Sequence, residues 1–207
     1  MDLSLLPPKP DPHTGDPRPP HAPFDGRRQM VDHDERARRK VPQPPEQYGP
    51  ILEWYYPTIG VRWVQMLVVP VICVVLFTIK DWGVEWMKVW YFWALLVACS
   101  APMAFFAFPA NGTSAGADWV SRKTGKVLNT YDLTKAKMRA GGNGAWLDLE
   151  DSSGNVLFIN QGELQRNPAL WDLVYNGILH SVHRGGADTN AMAQRRLQLN
   201  NPPSIRQ

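Results

Sequence analysis

Val64-Gln-Met-Leu-Val-Val-Pro-Val-Ile-Cys-Val-Val-Leu-Phe-Thr-Ile79 and, after a short connection, Val89-Trp-Tyr-Phe-Trp-Ala-Leu-Leu-Val-Ala-Cys-Ser-Ala-Pro-Met-Ala-Phe-Phe-Ala-Phe108 are the stretches on which the fold reading turns. A bilayer core about 30 Å thick takes roughly 20 apolar helical residues. The second stretch meets that length alone. The first meets it when Ile59 to Trp63 are added, with Arg62 snorkelling to the interface. Neither stretch contains a charge, and aromatic residues cluster at their ends. Trp54, Tyr55, Tyr56 and Trp63 precede the first. Trp82, Trp86, Trp90 and Tyr91 surround the connection, as in an interfacial belt of amphipathic rings. The expectation is a membrane α-hairpin: transmembrane helices over 59–79 and 89–108, a short external loop over 80–88, and interface anchors at Trp54, Tyr55, Trp63, Trp82, Trp86 and Trp90. The lipid bilayer is then the first expected partner.

Pro70 and Pro102 fall within the two stretches and read as helix kinks whose freed carbonyls neighbouring groups satisfy. Neither stretch carries an acid, histidine or arginine, so there is no proton-relay or ion-pair signature, which argues against a carrier or pump. Cys73 and Cys99 read as buried thiols or as a cross-link between the helices, and no C-x-x-C metal spacing occurs. The first fifty residues show no hydrophobic region of a cleavable leader. Lys80 and Lys88 flank the connection. Lys40, Arg62, Arg122, Lys123 and Lys126 stand on the other side, backed by Arg27, Arg28, Arg36, Arg38 and Arg39. That asymmetry predicts a multi-pass protein of the cytoplasmic (inner) membrane with both termini cytoplasmic.

Residues 1–50 hold twelve of the nineteen prolines, including Pro7-Pro-Lys-Pro10, Pro19-Pro20 and Pro42-Gln-Pro-Pro45. Polyproline-type segments with few aromatic or β-branched residues cannot bury enough apolar surface to fold, so a disordered arm is expected. A short charged helix is plausible over 30–39. The arm reads as a solvated linker, with a proline-rich ligand or an anionic-lipid patch as functional alternatives. His13, His21 and His33 are too scattered for a metal site.

A linker over 109–117 leads to a stretch in which turn signals recur. Asp118 to Ser121, Val127 to Tyr131, Lys135 to Ala140, Ala145 to Glu150 and Val156 to Asn160 read as short strands. Gly141-Gly-Asn-Gly144 and Ser152-Ser-Gly-Asn155 supply turns. A helix follows, with Asn167 as N-cap, Pro168 at its first position and Gly185-Gly186 at its end. Leu170, Leu173, Val174, Gly177 and Ile178 form its apolar or small face, which Trp171, Tyr175 and Leu179 widen. Asp172, Asn176, His180 and His183 form a polar stripe. The expected domain is a small α+β unit over 118–186, an antiparallel meander closed by this helix. A further helix and tail follow over 187–207, capped by Asp188 or Thr189. Trp171, Tyr175 and His180 are the candidate partner-binding residues, with core packing as the alternative for the two aromatics. His180 and His183 lie one turn apart but lack a third ligand. The glycine-rich turn joins two strands rather than opening a helix, so it is no phosphate cradle. No catalytic residue, metal or cofactor is expected.

Trp146-Leu-Asp-Leu-Glu-Asp-Ser-Ser-Gly-Asn-Val-Leu-Phe-Ile159 and the helix from Pro168 to His183, placed after the apolar pair, resemble bacterial membrane-anchored PH-like domain proteins. The resemblance implies a binding or scaffold role rather than catalysis. The richness in Arg, Trp, Pro and Gly is similar to that of small membrane proteins of actinobacteria and their phages. The leading expectation is a non-enzymatic membrane anchor or scaffold that presents its small cytoplasmic domain to a protein partner. The alternative is a phage-type membrane-active protein: lysis, superinfection exclusion or a small oligomeric pore. Homo-oligomerisation fits the small residues Ala98, Ser100, Ala101 and Ala104. A net charge of +3 with no basic face interleaved with aromatics argues against nucleic acid.

Overall fold

The computed structural model describes residues 6–25, 35–57, 59–80, 88–94, 96–98, 112–123, 126–142 and 144–202. The chain divides into two compact units, Met1–Tyr56 with Asn111–Gln207, and Pro57–Ala110.

The first unit is built on two sheets. One has strands β1 (Glu53–Tyr55), β2 (Thr113–Ala115), β3 (Trp119–Lys123) and β4 (Lys126–Asn129), in that order and antiparallel throughout. The other contains β5 (Leu133–Gly141), β6 (Gly144–Asp151), β7 (Val156–Asn160) and β8 (Asp188–Thr189) in the order β7-β6-β5-β8. Strands β5, β6 and β7 are antiparallel neighbours, and β8 runs parallel to β5. Three helices accompany the second sheet in sequence, and a single helical turn, α1 (Glu35–Arg38), precedes β1. Their order is α3 (Gln161–Gln165), α4 (Pro168–His183) and α5 (Ala191–Arg196), counting α2 (Ile59–Lys80) in the other unit.

Period-two patterning explains the second sheet. Ala136 and Met138 of β5, Leu147 and Leu149 of β6 and Ile159 of β7 are buried in one core cluster with Leu170, Trp171, Val174, Tyr175, Ile178 and Leu179 of α4. The intervening side chains form the other face. The turn between β6 and β7 is held by Asp151, whose carboxylate accepts the N–H groups of Ser153 (3.0 Å) and Asn155 (2.9 Å). Gly154 adopts φ +80 there, a conformation that favours glycine. Asn167 caps α4 by accepting from Ala169 (3.0 Å) and Leu170 (3.3 Å). Asp188 and Thr189, the expected caps of the last helix, instead form β8. Asn190 is the cap and also ties α5 to β5, accepting from Met138 N–H (3.2 Å) and donating to Met138 O (2.7 Å).

The structure corrects the expected fold class in three respects. First, among the described residues no helix is long and apolar enough to cross a membrane. Helix α2 contains Arg62 and Gln65 and ends at Lys80. Between Gln65 and Lys80 only Met66 to Ile79 remain, about 21 Å of helix against a bilayer core of about 30 Å. In the second stretch residues 90–94 and 96–98 are helical, and residues 99–108 lie outside the described residues. The transmembrane hairpin over 59–79 and 89–108, the multi-pass location in the cytoplasmic membrane and the placement of both termini in the cytoplasm are therefore not sustained. Second, the arm expected to be disordered is placed over residues 6–25 and 35–57. Leu6 and Ala22 belong to the core cluster, and Val41 and Ile51 pack with Trp54, Trp119 and Val127 in a second one. Third, the single meander is two sheets. One recruits β1 from ahead of the apolar stretches, and the other adds the parallel strand β8.

In the second unit Leu67, Val68, Val71, Ile72, Val75, Leu76 and Ile79 of α2 are exposed, and Phe77 meets Phe92 edge-to-face at 4.5 Å. Cys73 is a free thiol, and Cys99 lies outside the described residues.

Candidate functional site

The three candidate partner-binding residues lie on α4, and all three are covered. Trp171 and Tyr175 are 0% and 2% exposed, and His180 is 6% exposed. Trp171 Nε1 donates to Pro23 O (2.7 Å), and Tyr175 Oη donates to Leu197 O (2.8 Å). His180 Nε2 bonds Pro7 O (2.7 Å), and its ring lies 5.1 Å from Tyr131. The polar stripe is therefore lined by chain rather than by solvent. Asp172 accepts from Ala22 N–H (2.8 Å) and pairs with His21 Nδ1 (3.1 Å), while Asn176 donates to Pro8 O (3.2 Å) and Tyr131 Oη (2.9 Å). His183 bonds Leu199 O (2.8 Å) and does not join His180 in a ligand pair.

Burial sets the titration of this region. It disfavours the charged form of His180 and lowers its pKa; the bond to Pro7 O opposes this, while Arg184, Lys9 and His183 add to it. Burial likewise raises the hydroxyl of Tyr131, and Lys9 lies 4.7 Å from that ring's centroid.

Of the expected interface anchors, Trp54 is buried in the first unit, with Arg38 stacked 5.5 Å from its ring, and Tyr55 is half-buried. Trp90 is 77% exposed. Trp82 and Trp86 lie outside the described residues, as does the side chain of Trp63.

The open surface of the first unit is the second sheet's other face. Its rows follow from register: Lys135 lies beside Glu150 and Val156, Lys137 beside Asp148 and Phe158, and Arg139 beside Trp146 and Asn160. Strand β5 thus contributes cations, β6 contributes two acids and a tryptophan, and β7 contributes large apolar groups. Asp148 is bridged by Lys135 Nζ (2.9 Å) and Arg139 Nη2 (2.7 Å). Burial would raise its carboxyl, but those two cations outweigh burial and hold it below the ordinary carboxylate value. Lys137 pairs with Asp188 of β8. The charges on this face thus largely compensate one another.

Beside that ladder Trp146 and Phe158 stack in parallel, with centroids 4.8 Å apart and planes 10° apart. Phe158 is 47% exposed and its neighbour on the same strand face, Val156, is 53% exposed. Among the described residues of the first unit these are the large apolar side chains left exposed. A cavity of about 250 Å³ continues from them between β7 and β4, lined by Arg122, Lys126, Val127, Val156, Leu157 and Phe158. Arg122 closes one wall. It donates to Phe158 O (3.0 Å) and to Glu163 Oε2 (2.9 Å). Burial raises the Glu163 carboxyl, with Arg122, Thr113 and Arg166 pulling against it.

Sequence reasoning placed Trp146, Val156 and Phe158 in strands and in the stretch that carries the resemblance, but not among the candidate binding residues. The signal for Val156 and Phe158 is the run Val156-Leu-Phe-Ile159, which is apolar on both faces where a half-buried strand alternates with polar residues. Among the described residues no group of three or more histidine, cysteine or acidic side chains is placed to hold a metal ion. The chain matches no family model, no curated protein and no solved structure.

Proposed function

We propose that this chain is a non-enzymatic protein-binding module that docks an apolar segment of a partner protein on the outer face of its second sheet, over Trp146, Val156 and Phe158. The observation that carries this reading is the exposure of Val156 and Phe158 side by side on one strand, with Trp146 stacked against Phe158. Contiguous apolar groups rimmed by polar ones mark interaction surfaces, and aromatic anchors carry much of the energy at such surfaces. The compensated charges of β5, β6 and β8 form the polar rim. They set orientation rather than attraction, because each cation already has an acid on the same face.

The test places the photo-crosslinking residue p-benzoylphenylalanine at position 158 in the chain expressed in its native cell. The expected result is one discrete protein adduct that disappears when Val156→Asp is added, while the near-ultraviolet circular dichroism of the chain is unchanged. No adduct from position 158, or an adduct insensitive to Val156→Asp, refutes the reading.

A further inference from the structure

The polar stripe of α4 and the proline-rich arm form a matched pair, independent of the sheet face above. The arm runs antiparallel to α4. His180 and Asn176 meet Pro7 and Pro8 at one end, and Asp172, Trp171 and Gln165 meet residues 21–23 at the other. Between the two contacts the arm turns at residues 11–16, where the Asp11 carboxylate accepts the N–H groups of His13 (2.8 Å) and Thr14 (2.9 Å), and Arg18 then bridges to Glu53 (3.2 Å). Four side chains of the seat direct N–H donors at carbonyls of proline: Trp171 and Gln165 at Pro23, Asn176 at Pro8 and His180 at Pro7. Proline has no N–H of its own, so a proline-rich strand presents acceptors and few donors. Helix-borne donors read such a strand through its backbone, with little demand on its side chains.

A second observation shows that the arm fills this seat incompletely. Asn176 is 1% exposed, and its Oδ1 has no hydrogen-bond partner among the described residues. Pro7 and Pro8, the segment beside it, have no N–H to give. A buried acceptor left unmatched is a standing cost, which a ligand carrying an N–H at that step removes.

We propose that the surface formed by Gln165 of α3 and residues 171–180 of α4 is a recognition site for proline-rich peptide, that residues 7–23 occupy it in cis as a placeholder, and that a proline-rich segment of a partner protein displaces them. The cis segment competes at the high effective concentration of a tethered ligand, so it sets the threshold a partner must exceed.

The test uses the full chain and a fluorescent peptide of residues 6–25, read by anisotropy. Leu6→Asp with His21→Ala releases the arm through its own residues and leaves the seat untouched; hydrogen exchange over residues 7–23 verifies the release. The peptide is expected to bind the released chain about tenfold more tightly than the unaltered chain. Adding Asn176→Leu to the released chain is expected to weaken binding about tenfold. Failure of the peptide to bind the released chain overturns the proposal, as does binding indifferent to Asn176→Leu. Loss of cooperative unfolding in the released chain also overturns it, because the arm is then an integral layer and not a ligand.

Discussion

Gly177 is where α4 passes against Thr130 with no room for a side chain. A Cβ built there would overlap Thr130 Cβ and Oγ1 and lie 2.8 Å from the Thr130 carbonyl oxygen. Thr130 is itself held, because its carbonyl accepts from Ser181 Oγ (2.9 Å), one turn further along α4. Backbone cannot yield as a flexible side chain would, so Gly177→Ala is expected to destabilise the protein by roughly 1–3 kcal/mol in urea unfolding despite the better helix propensity of alanine. His180 carries a pH dependence whose sign is determined by its lowered pKa. Below the ordinary histidine value of about 6.5 the unfolded chain takes up a proton that the folded chain resists, so stability is full above that value and falls as the pH drops through the folded pKa. Urea midpoints measured from about pH 8 to pH 5 are expected to fall on the acid side, and His180→Gln is expected to flatten that limb.

Among the elements, α4 is the most legible from its own residues, and its cap shows how much further the fold uses one of them. Asn167 accepts from two N–H groups of the first turn, as Asn followed by Pro suggests. Its Nδ2 also donates to Glu53 Oε2 (3.1 Å) and Trp54 O (2.9 Å), fastening β1 to the helix. Asn167→Ala removes the cap and takes one donor from each of Glu53 and Trp54, and is expected to cost about 2 kcal/mol by denaturant titration. Asn190 has the same double use, which is why the last helix begins beyond Asp188 and Thr189. Those two residues read as caps in isolation; in the fold they pair with Lys135 and Ala136 of β5.

For the whole molecule, the informative feature is the chain path. Tyr55 of β1 and Thr113 of β2 are register partners, so residues 56–112, which include the apolar stretches, are inserted between two adjacent antiparallel strands. Strand ends paired this way lie about 5 Å apart, a gap that a short turn closes. Replacing residues 57–110 by a brief Gly/Ser turn is therefore expected to leave the first unit folded. The check is a single cooperative melting transition with the near-ultraviolet signal of buried Trp54, Trp119 and Trp171 retained; its loss would show that the insertion supports the unit.

Turns, caps and strand faces are readable from neighbouring residues because their causes act within a few positions: Asp151 bonding Ser153 and Asn155, Asn167 ahead of Pro168, alternation through Trp146 to Glu150. The apolar stretches and the proline-rich arm are not readable in that way. Length and hydropathy measure how badly a segment needs cover, and proline content measures how poorly it pairs with itself. Neither states what the segment meets in space. The arm is ordered because Trp171, Asp172, Asn176 and His180, some 150 residues away or more, offer groups that match its backbone. Likewise β1 forms because β2 lies beside it across the insertion. Local chemistry chooses the pieces, while the free energy that places them comes from contacts between positions far apart in the chain.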